Sequence, residues 1–239
     1  MALARTIEDV VEAWQLVYIA YRRAGLIAPN HQKVYTLPQA VNPRALIVHA
    51  RLEAQVVSTL TAVPDGPEGL PLDAQSGLLL AGLRNQGQPL MEICLVGDRR
   101  DRLSRTLQVK RALMRLVLSY ARLTGSGGVV TLAMAEEADL YRSEYGFEAI
   151  PAQREPLASV GRGRAALHLD LRAATQRPAC PPGLAWCRQN PVPADVFAQC
   201  FNFDPGTVQR SLLGTFLAGY AHALHAPDAP PYGTPPTAA

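Results

Sequence analysis

Lysine is nearly missing from this chain: only Lys33 and Lys110 occur among 23 basic residues, and the other 21 are arginine. With 20 acidic residues the formal charge is +3, too small a balance to single out nucleic acid as a partner. Cysteine is scarce as well. Cys94, Cys180, Cys187 and Cys200 form no C-x-x-C pair and have no histidine at zinc-ligand spacing. No metal site is expected, and the thiols should be reduced, with Cys94 acting as a small buried apolar residue. His222 and His225 lie three apart, where a solvated terminal helix accounts for them, and His31, His49 and His168 are scattered. No apolar run reaches the roughly 18 to 20 residues that a membrane helix needs. The opening MALARTIEDVVEAWQ sets Glu8, Asp9 and Glu12 among its apolar residues, so no secretory signal is expected and a cytoplasmic location is the default. The G-x-x-x-x-G-K loop, the G-x-G-x-x-G turn and the G-x-S-x-G elbow are all missing, which removes the common nucleotide and serine-hydrolase signatures.

What is present suits one large or two small globular domains. The chain has 239 residues, 48% of them hydrophobic and 18% charged, enough to bury a core without disulfides or metal. Residues 7 to 24 place Val10, Trp14, Val17, Tyr18 and Tyr21 at helical intervals, with Thr6 as cap and Gly25 as stop. Pro38 and Pro43 punctuate a loop. Two apolar runs, 45 to 52 and 55 to 63, then read as an antiparallel hairpin, and PDGPEGLPLD at 64 to 73 reads as loop. A short helix through Leu78 to Leu83 leads to a strand at 90 to 97, a helix over about 104 to 123, and a strand at 129 to 135. A short helix at 137 to 145 and strands at 147 to 150 and 165 to 171 follow. The order predicts an α/β (α+β) chain with a mixed sheet. Composition changes past Thr175: five prolines fall within 178 to 193, a helical segment follows from about 194 to 223, and APDAPPYGTPPTAA reads as a disordered tail. The expected division is a domain over 1–174, a helical extension over 175–225 and a Pro/Ala-rich tail over 226–239.

Three features carry candidate chemistry. Glu92 sits inside the apolar run LMEICLVG, where an ionised carboxylate is costly. It is either a general base with a raised pKa or an edge or ion-paired residue satisfied by one of the arginines. Next, GDRRDRLSRTL at 97 to 107 sets Arg99, Arg100, Arg102 and Arg105 at the start of a helix. Free N–H groups and the helix dipole favour an anion there, such as a phosphopantetheine phosphate or an acidic carrier, and the competing reading is a solvated loop. Finally, ADLYRSEYGFEAI at 138 to 150 puts Tyr141 on a short helix before a Gly-Phe turn, either as a proton donor to a departing thiolate or as a packing aromatic. Tyr145 and Phe147 are read as packing residues.

The strand with a central Glu, the basic loop, the long helix, the second strand, and the L-Y helix followed by G-F-E together resemble the GNAT N-acyltransferases. Within them the chain is most similar to long-chain N-acyl amino acid synthases, relatives of the acyl-homoserine lactone synthases. The similarity rests on AYRRAGLI at 20 to 27, LTAVPDGPEGLPLDAQ at 60 to 75, QPLMEICLVGDRRD at 88 to 101 and LYRSEYGFEAI at 140 to 150, and spans roughly residues 7 to 172. It implies a mostly antiparallel, mixed central sheet flanked by helices. It also implies transfer of a fatty acyl group from an acyl carrier protein thioester, or from acyl-CoA, to the α-amine of an amino acid, without a covalent enzyme intermediate or a bound cofactor. Carried over by position, Glu92 would be the base, Tyr141 the acid, and a backbone N–H near Leu95 or Val96 the oxyanion donor between splaying strands. Leu95 stands where such relatives commonly carry Arg, three residues after the Glu. The Q/R-x-x-G-x-G/A loop of CoA-using members is replaced, and Tyr141 precedes Gly146 by five residues instead of the more common four. An acyl-homoserine lactone synthase and a non-catalytic module that binds acylated carrier protein or lipid are the alternatives. The segment past Thr175 would serve as a lid or as a homodimer contact.

Overall fold

The computed structural model describes residues 1–99, 103–150, 163–176 and 180–201, with the backbone alone at 75–79, 103–106 and 175. The elements in order are β1 (Ala2–Leu3), α1 (Ile7–Arg23), a 3-10 turn (Pro38–Val41), β2 (Leu46–Leu52), β3 (Gln55–Pro64), α2 (Asp73–Asn85), β4 (Leu90–Asp98) and α3 (Leu103–Leu123). After these come β5 (Gly128–Met134), α4 (Ala135–Leu140), a π turn (Tyr141–Tyr145), β6 (Glu148–Ala149), β7 (Arg164–Asp170), α5 (Leu171–Gln176), α6 (Pro182–Gln189) and α7 (Ala194–Phe197). Among the described residues the sheet has seven strands in the order β1-β2-β3-β4-β5-β7-β6. It is mixed: β4 and β5 run parallel, while β1 with β2, β5 with β7 and β6 with β7 are antiparallel. This is the predicted α/β, GNAT-like architecture. No helix among the described residues is long and apolar enough to cross a membrane.

Two compact units divide the chain, one formed by Met1–Thr61, Leu95–Leu113 and the described residues after Phe197, the other by Ala62–Cys94 and Met114–Phe197. In the first unit, α1 opens on a capping box in which the Thr6 hydroxyl accepts from Asp9 N–H and the Asp9 carboxylate accepts from Thr6 N–H. That reciprocal pair satisfies orphan donors at the helix start. The buried stripe Val10, Ala13, Trp14, Leu16 and Val17 is the periodic face of the sequence. Glu53 and Ala54 join β2 to β3 with φ of 49° and 63°, the two left-handed residues of a tight hairpin turn. Within this unit Gly97 of β4 lies against α1 so closely that a Cβ there would fall 3.2 Å from the Val17 backbone. Gly97→Ala should therefore lower unfolding stability by about 1 to 3 kcal/mol, because the clash is with backbone and not with a yielding side chain. Denaturant unfolding of the two proteins checks this, and equal midpoints would show that α1 can retreat without loss.

The second unit is built on β5, which pairs with β7 over its whole length, from Gly128 opposite Asp170 to Met134 opposite Arg164. Met91, Ile93, Val117, Val129, Val130, Leu167 and Leu169 are all buried in its core. The chain after β7 continues onto this unit. Pro182 occupies the first turn of α6, where its missing N–H costs nothing, and Arg115 of α3 lies over the Trp186 ring at 5.8 Å. Val192 N–H donates to the Ser119 hydroxyl at 3.0 Å. The helix expected over about 194 to 223 starts at Ala194 as α7 but stops at Phe197, because 198–200 form a turn and bend; 202–239 lie outside the described residues.

Candidate active site

In the second unit Asp65, Asp73 and Arg84 act on one buried strand residue. Glu92 on β4 stands opposite Val130 in the parallel ladder and is 3% exposed. One of its carboxylate oxygens, Oε2, accepts a hydrogen bond of 2.8 Å from the backbone N–H of Leu72. Burial pushes its pKa up to about 8, with Asp73 and Asp65 adding to the rise and the Leu72 N–H and Arg84 opposing it. An ionised carboxylate is thus neither forbidden nor dominant at neutral pH, the condition for a group that takes up and releases a proton. The sequence left open an arginine partner for Glu92. Its hydrogen bond is instead to backbone, and the nearby arginine is engaged elsewhere.

That arginine is Arg84 of α2. Its Nε and Nη2 donate to Asp65 at 2.6 and 3.0 Å, and its Nη1 and Nη2 donate to Asp73 at 2.7 Å each. Asp73 also accepts from Leu70 N–H at 2.7 Å, so the two carboxylates and the guanidinium pin the segment that presents Leu72. Asp73 is held below its usual range by these hydrogen bonds against the opposing effect of burial, and Arg84 is raised by both carboxylates. None of Asp65, Asp73 and Arg84 stood out in the sequence. The only signal available was the repeated acid flanking a Gly/Pro loop, followed by one arginine in a helix.

Just beyond Glu92 the β4–β5 ladder ends. Rungs join Leu90 to Gly128, Met91 to Val129, Glu92 to Val130 and Ile93 to Thr131. The Thr131 hydroxyl donates to the Ile93 carbonyl at 2.9 Å, closing the last rung with a side chain. Cys94 follows, a free thiol whose pKa is raised by burial and by Glu92, so it is protonated and a weak nucleophile.

In the other unit, Leu95 breaks the strand conformation with φ of 50°, a left-handed backbone that leucine rarely adopts. It is buried, and Val96 is half-buried. Arg99 is exposed and its N–H donates to Val57 carbonyl at 2.9 Å. Arg100 and Arg102 lie outside the described residues, and Arg105 is placed on α3 with its side chain likewise outside them.

Tyr141 begins the π turn of the second unit. The π turn carries one extra residue per turn, which accounts for the additional residue between Tyr141 and Gly146 noted in the sequence. Gly146 closes it with φ of 77°. The Tyr141 ring meets Phe147 edge-on at 5.2 Å and Tyr145 at 6.3 Å. All three are buried, as expected for Tyr145 and Phe147 as packing residues. Burial drives the Tyr141 hydroxyl well above the ordinary phenol range, so it remains a protonated donor at any working pH.

The chain is similar to the solved structure of FeeM, an N-acyl amino acid synthase from uncultured soil microbes, at 20% identity and a TM-score of 0.61, over 74% of this chain and 92% of that one. It is also similar to BjaI, a CoA-dependent acyl-homoserine lactone synthase solved with SAM and isopentyl-CoA, at 14% identity and a TM-score of 0.53 over 81% and 92% of the two chains. MesI, another CoA-dependent acyl-homoserine lactone synthase, matches at 17% identity and a TM-score of 0.51 over 76% and 87%. At these identities the structures speak for a shared fold. No curated protein matches the chain. The sequence model described as N-acyl amino acid synthase FeeM, however, matches residues 12–170, about two thirds of the length, and on that match the chain belongs to the N-acyl amino acid synthase FeeM family.

Proposed function

We propose that this N-acyltransferase moves a fatty acyl group from an acyl carrier protein thioester to the α-amine of an amino acid, by direct attack within one ternary complex. The observation that supports it most is Glu92: a carboxylate 3% exposed, held by Leu72 N–H, with its pKa pushed up to about 8. An amino acid reaches the enzyme as an ammonium, which has no lone pair to attack with. Glu92 takes one of its protons, and the freed amine then attacks the thioester carbon. The C–N bond forms, the C–S bond breaks, and the nitrogen sheds its second proton as the thiolate departs. Tyr141 is assigned the relay: its hydroxyl hydrogen-bonds the leaving sulfur and gives it a proton, and the proton shed by the nitrogen restores the phenol. A backbone N–H at Leu95 or Val96 is assigned the oxyanion, because left-handed Leu95 turns the strand's amides away from a regular pairing direction. Cys94 takes no covalent part, since its raised pKa leaves it a thiol.

The donor site is assigned to Arg99, Arg100, Arg102 and Arg105. Reversing the first three to glutamate is expected to weaken carrier binding about tenfold at low salt and to flatten its salt dependence, since charges steer encounter through a screened field. Titration of the carrier protein at two ionic strengths measures this, and an unchanged affinity would take the donor role away from this loop. A CoA donor is the second reading: two similar structures, BjaI and MesI, are CoA-dependent, although this loop lacks the CoA-type glycine pattern. Lipid extracts from cells overproducing the protein, examined by mass spectrometry, should contain a new N-acyl amino acid that names both substrates. Purified enzyme supplied with palmitoyl-carrier protein or palmitoyl-CoA and the twenty amino acids then separates the donors. Consumption of neither thioester, with no new lipid, would sink the proposal.

A further inference from the structure

We infer that Arg84 is a positioning residue for the acyl transfer, holding Glu92 in working geometry through its clasp on Asp65 and Asp73; this rests on Glu92 being the base. Both edges of the guanidinium are committed, one to each carboxylate, through four hydrogen bonds of 2.6 to 3.0 Å. A fork used on both sides fixes two acids relative to one another in a way that a lysine ammonium cannot. The fixed acids in turn fix backbone. Asp73 receives Leu70 N–H, Leu70 carbonyl receives Asp73 N–H at 3.0 Å, and the turn so closed delivers Leu72 N–H to Glu92 at 2.8 Å. Leu70 and Leu72 are fully buried, so the turn cannot slip without emptying the core beside it.

The clasp also sets the charge that Glu92 meets. The ionisable groups acting on it are Asp73, Arg84 and Asp65, with the Cys94 thiol on its own strand. With Arg84 in place the clasp carries a net charge of −1; without it, two uncompensated carboxylates face a third. Glu92 would then hold its proton to higher pH, and less of it would be ready as a base at neutrality. Arg84 touches no reacting atom in this scheme. Its two edges are already occupied, so it is not the group that holds a substrate carboxylate.

The test is the titration of the Glu92 carboxyl itself, read from the protonated-carboxyl infrared band as the difference between each protein and its Glu92→Gln counterpart. The pH dependence of thioester consumption from palmitoyl-carrier protein and palmitoyl-CoA with the twenty amino acids is followed alongside. In Arg84→Met the carboxyl midpoint and the rising limb of the rate should both move up by about one pH unit, with the rate at pH 7 down about tenfold. In Arg84→Lys, which keeps the charge and loses the fork, the midpoint should return close to the parent while the maximal rate stays depressed. Asp73→Asn removes one repelling carboxylate and should move the midpoint the other way; it decides the matter if Arg84→Met does not fold. A general loss of folded protein would scale all rates equally and move neither midpoint. Unmoved midpoints with a slow Glu92→Gln enzyme would overturn the positioning role while leaving Glu92 as base. A fast Glu92→Gln enzyme would overturn both.

Discussion

Glu92→Gln should slow acyl transfer at pH 8 by about a hundredfold or more, with the Michaelis constant for the acyl donor within about twofold of the parent. Glutamine matches glutamate in size, and its carbonyl can still accept the Leu72 N–H that Oε2 now receives at 2.8 Å, so the turn at 70 to 73 and the packing of β4 survive. What is lost is the ability to take a proton from the incoming ammonium. In the parent, kcat/KM should climb with pH and level off above about 8, because the carboxyl must ionise before it can serve, and burial delays that ionisation to about 8. The Gln variant should keep a low rate set by the small fraction of acceptor already present as free amine, rising with the pKa of the amine instead. A variant within twofold of the parent at pH 7 and pH 8 would remove Glu92 from the chemistry.

Glu92 was legible in the sequence for one reason: a charge within an eight-residue apolar run is an anomaly that periodicity cannot absorb. The amphipathic face of α1 and its Thr6 cap were legible because local spacing alone determines them. The clasp was not. Asp65 lies 19 residues from Arg84, and Asp73 lies 11 away from it across a stretch read as turn and short helix, so nothing local ties the three together. α2 begins at Asp73, well before the periodic stretch at Leu78, because the acid anchors the turn that starts it.

The strand break at Leu95 was equally hidden. A leucine gives no sign that its backbone will turn left-handed, whereas Gly or Asn would have advertised it. The hairpin of β2 and β3, by contrast, was legible from its two apolar runs, although its turn at Glu53 and Ala54 is made without the Asn-Gly pair that usually marks it. The five prolines within 178 to 193 gave no sign of a helix, yet Pro181 and Pro182 open α6, since proline is harmful inside a helix and harmless in its first turn. β1, two residues long, was visible only through its partner: Ala2 and Leu3 pair with His49 and Val48.

The same glutamate should also make the protein less stable as the pH rises, and Glu92→Gln should relieve it. Its folded pKa is about 8 against 4.5 for the free side chain. Below about 4.5 both the folded and unfolded chains hold the proton, and the group exerts no pH dependence. Between about 4.5 and 8 the unfolded chain has released the proton while the folded chain keeps it, so stability falls with each unit of pH, and above 8 the loss is complete. A displacement of this size corresponds to a few kcal/mol across the window, from the general value of about 1.4 kcal/mol per unit.

Other groups titrate nearby with different signs. His49 and His168 are held neutral by burial, which makes stability rise towards the ordinary histidine pKa, and Asp9, Asp73 and Asp170 act only at lower pH. The parent curve alone therefore mixes several slopes, whereas the difference between parent and Glu92→Gln isolates one. Urea unfolding of both proteins at intervals from pH 5 to pH 9 should show that difference growing in favour of the Gln variant up to about pH 8 and then holding constant. A difference that stays flat across the range would mean that the carboxyl ionises in the folded protein as readily as in water, and neither a base poised near neutrality nor a rate rising through pH 8 could then be built on it.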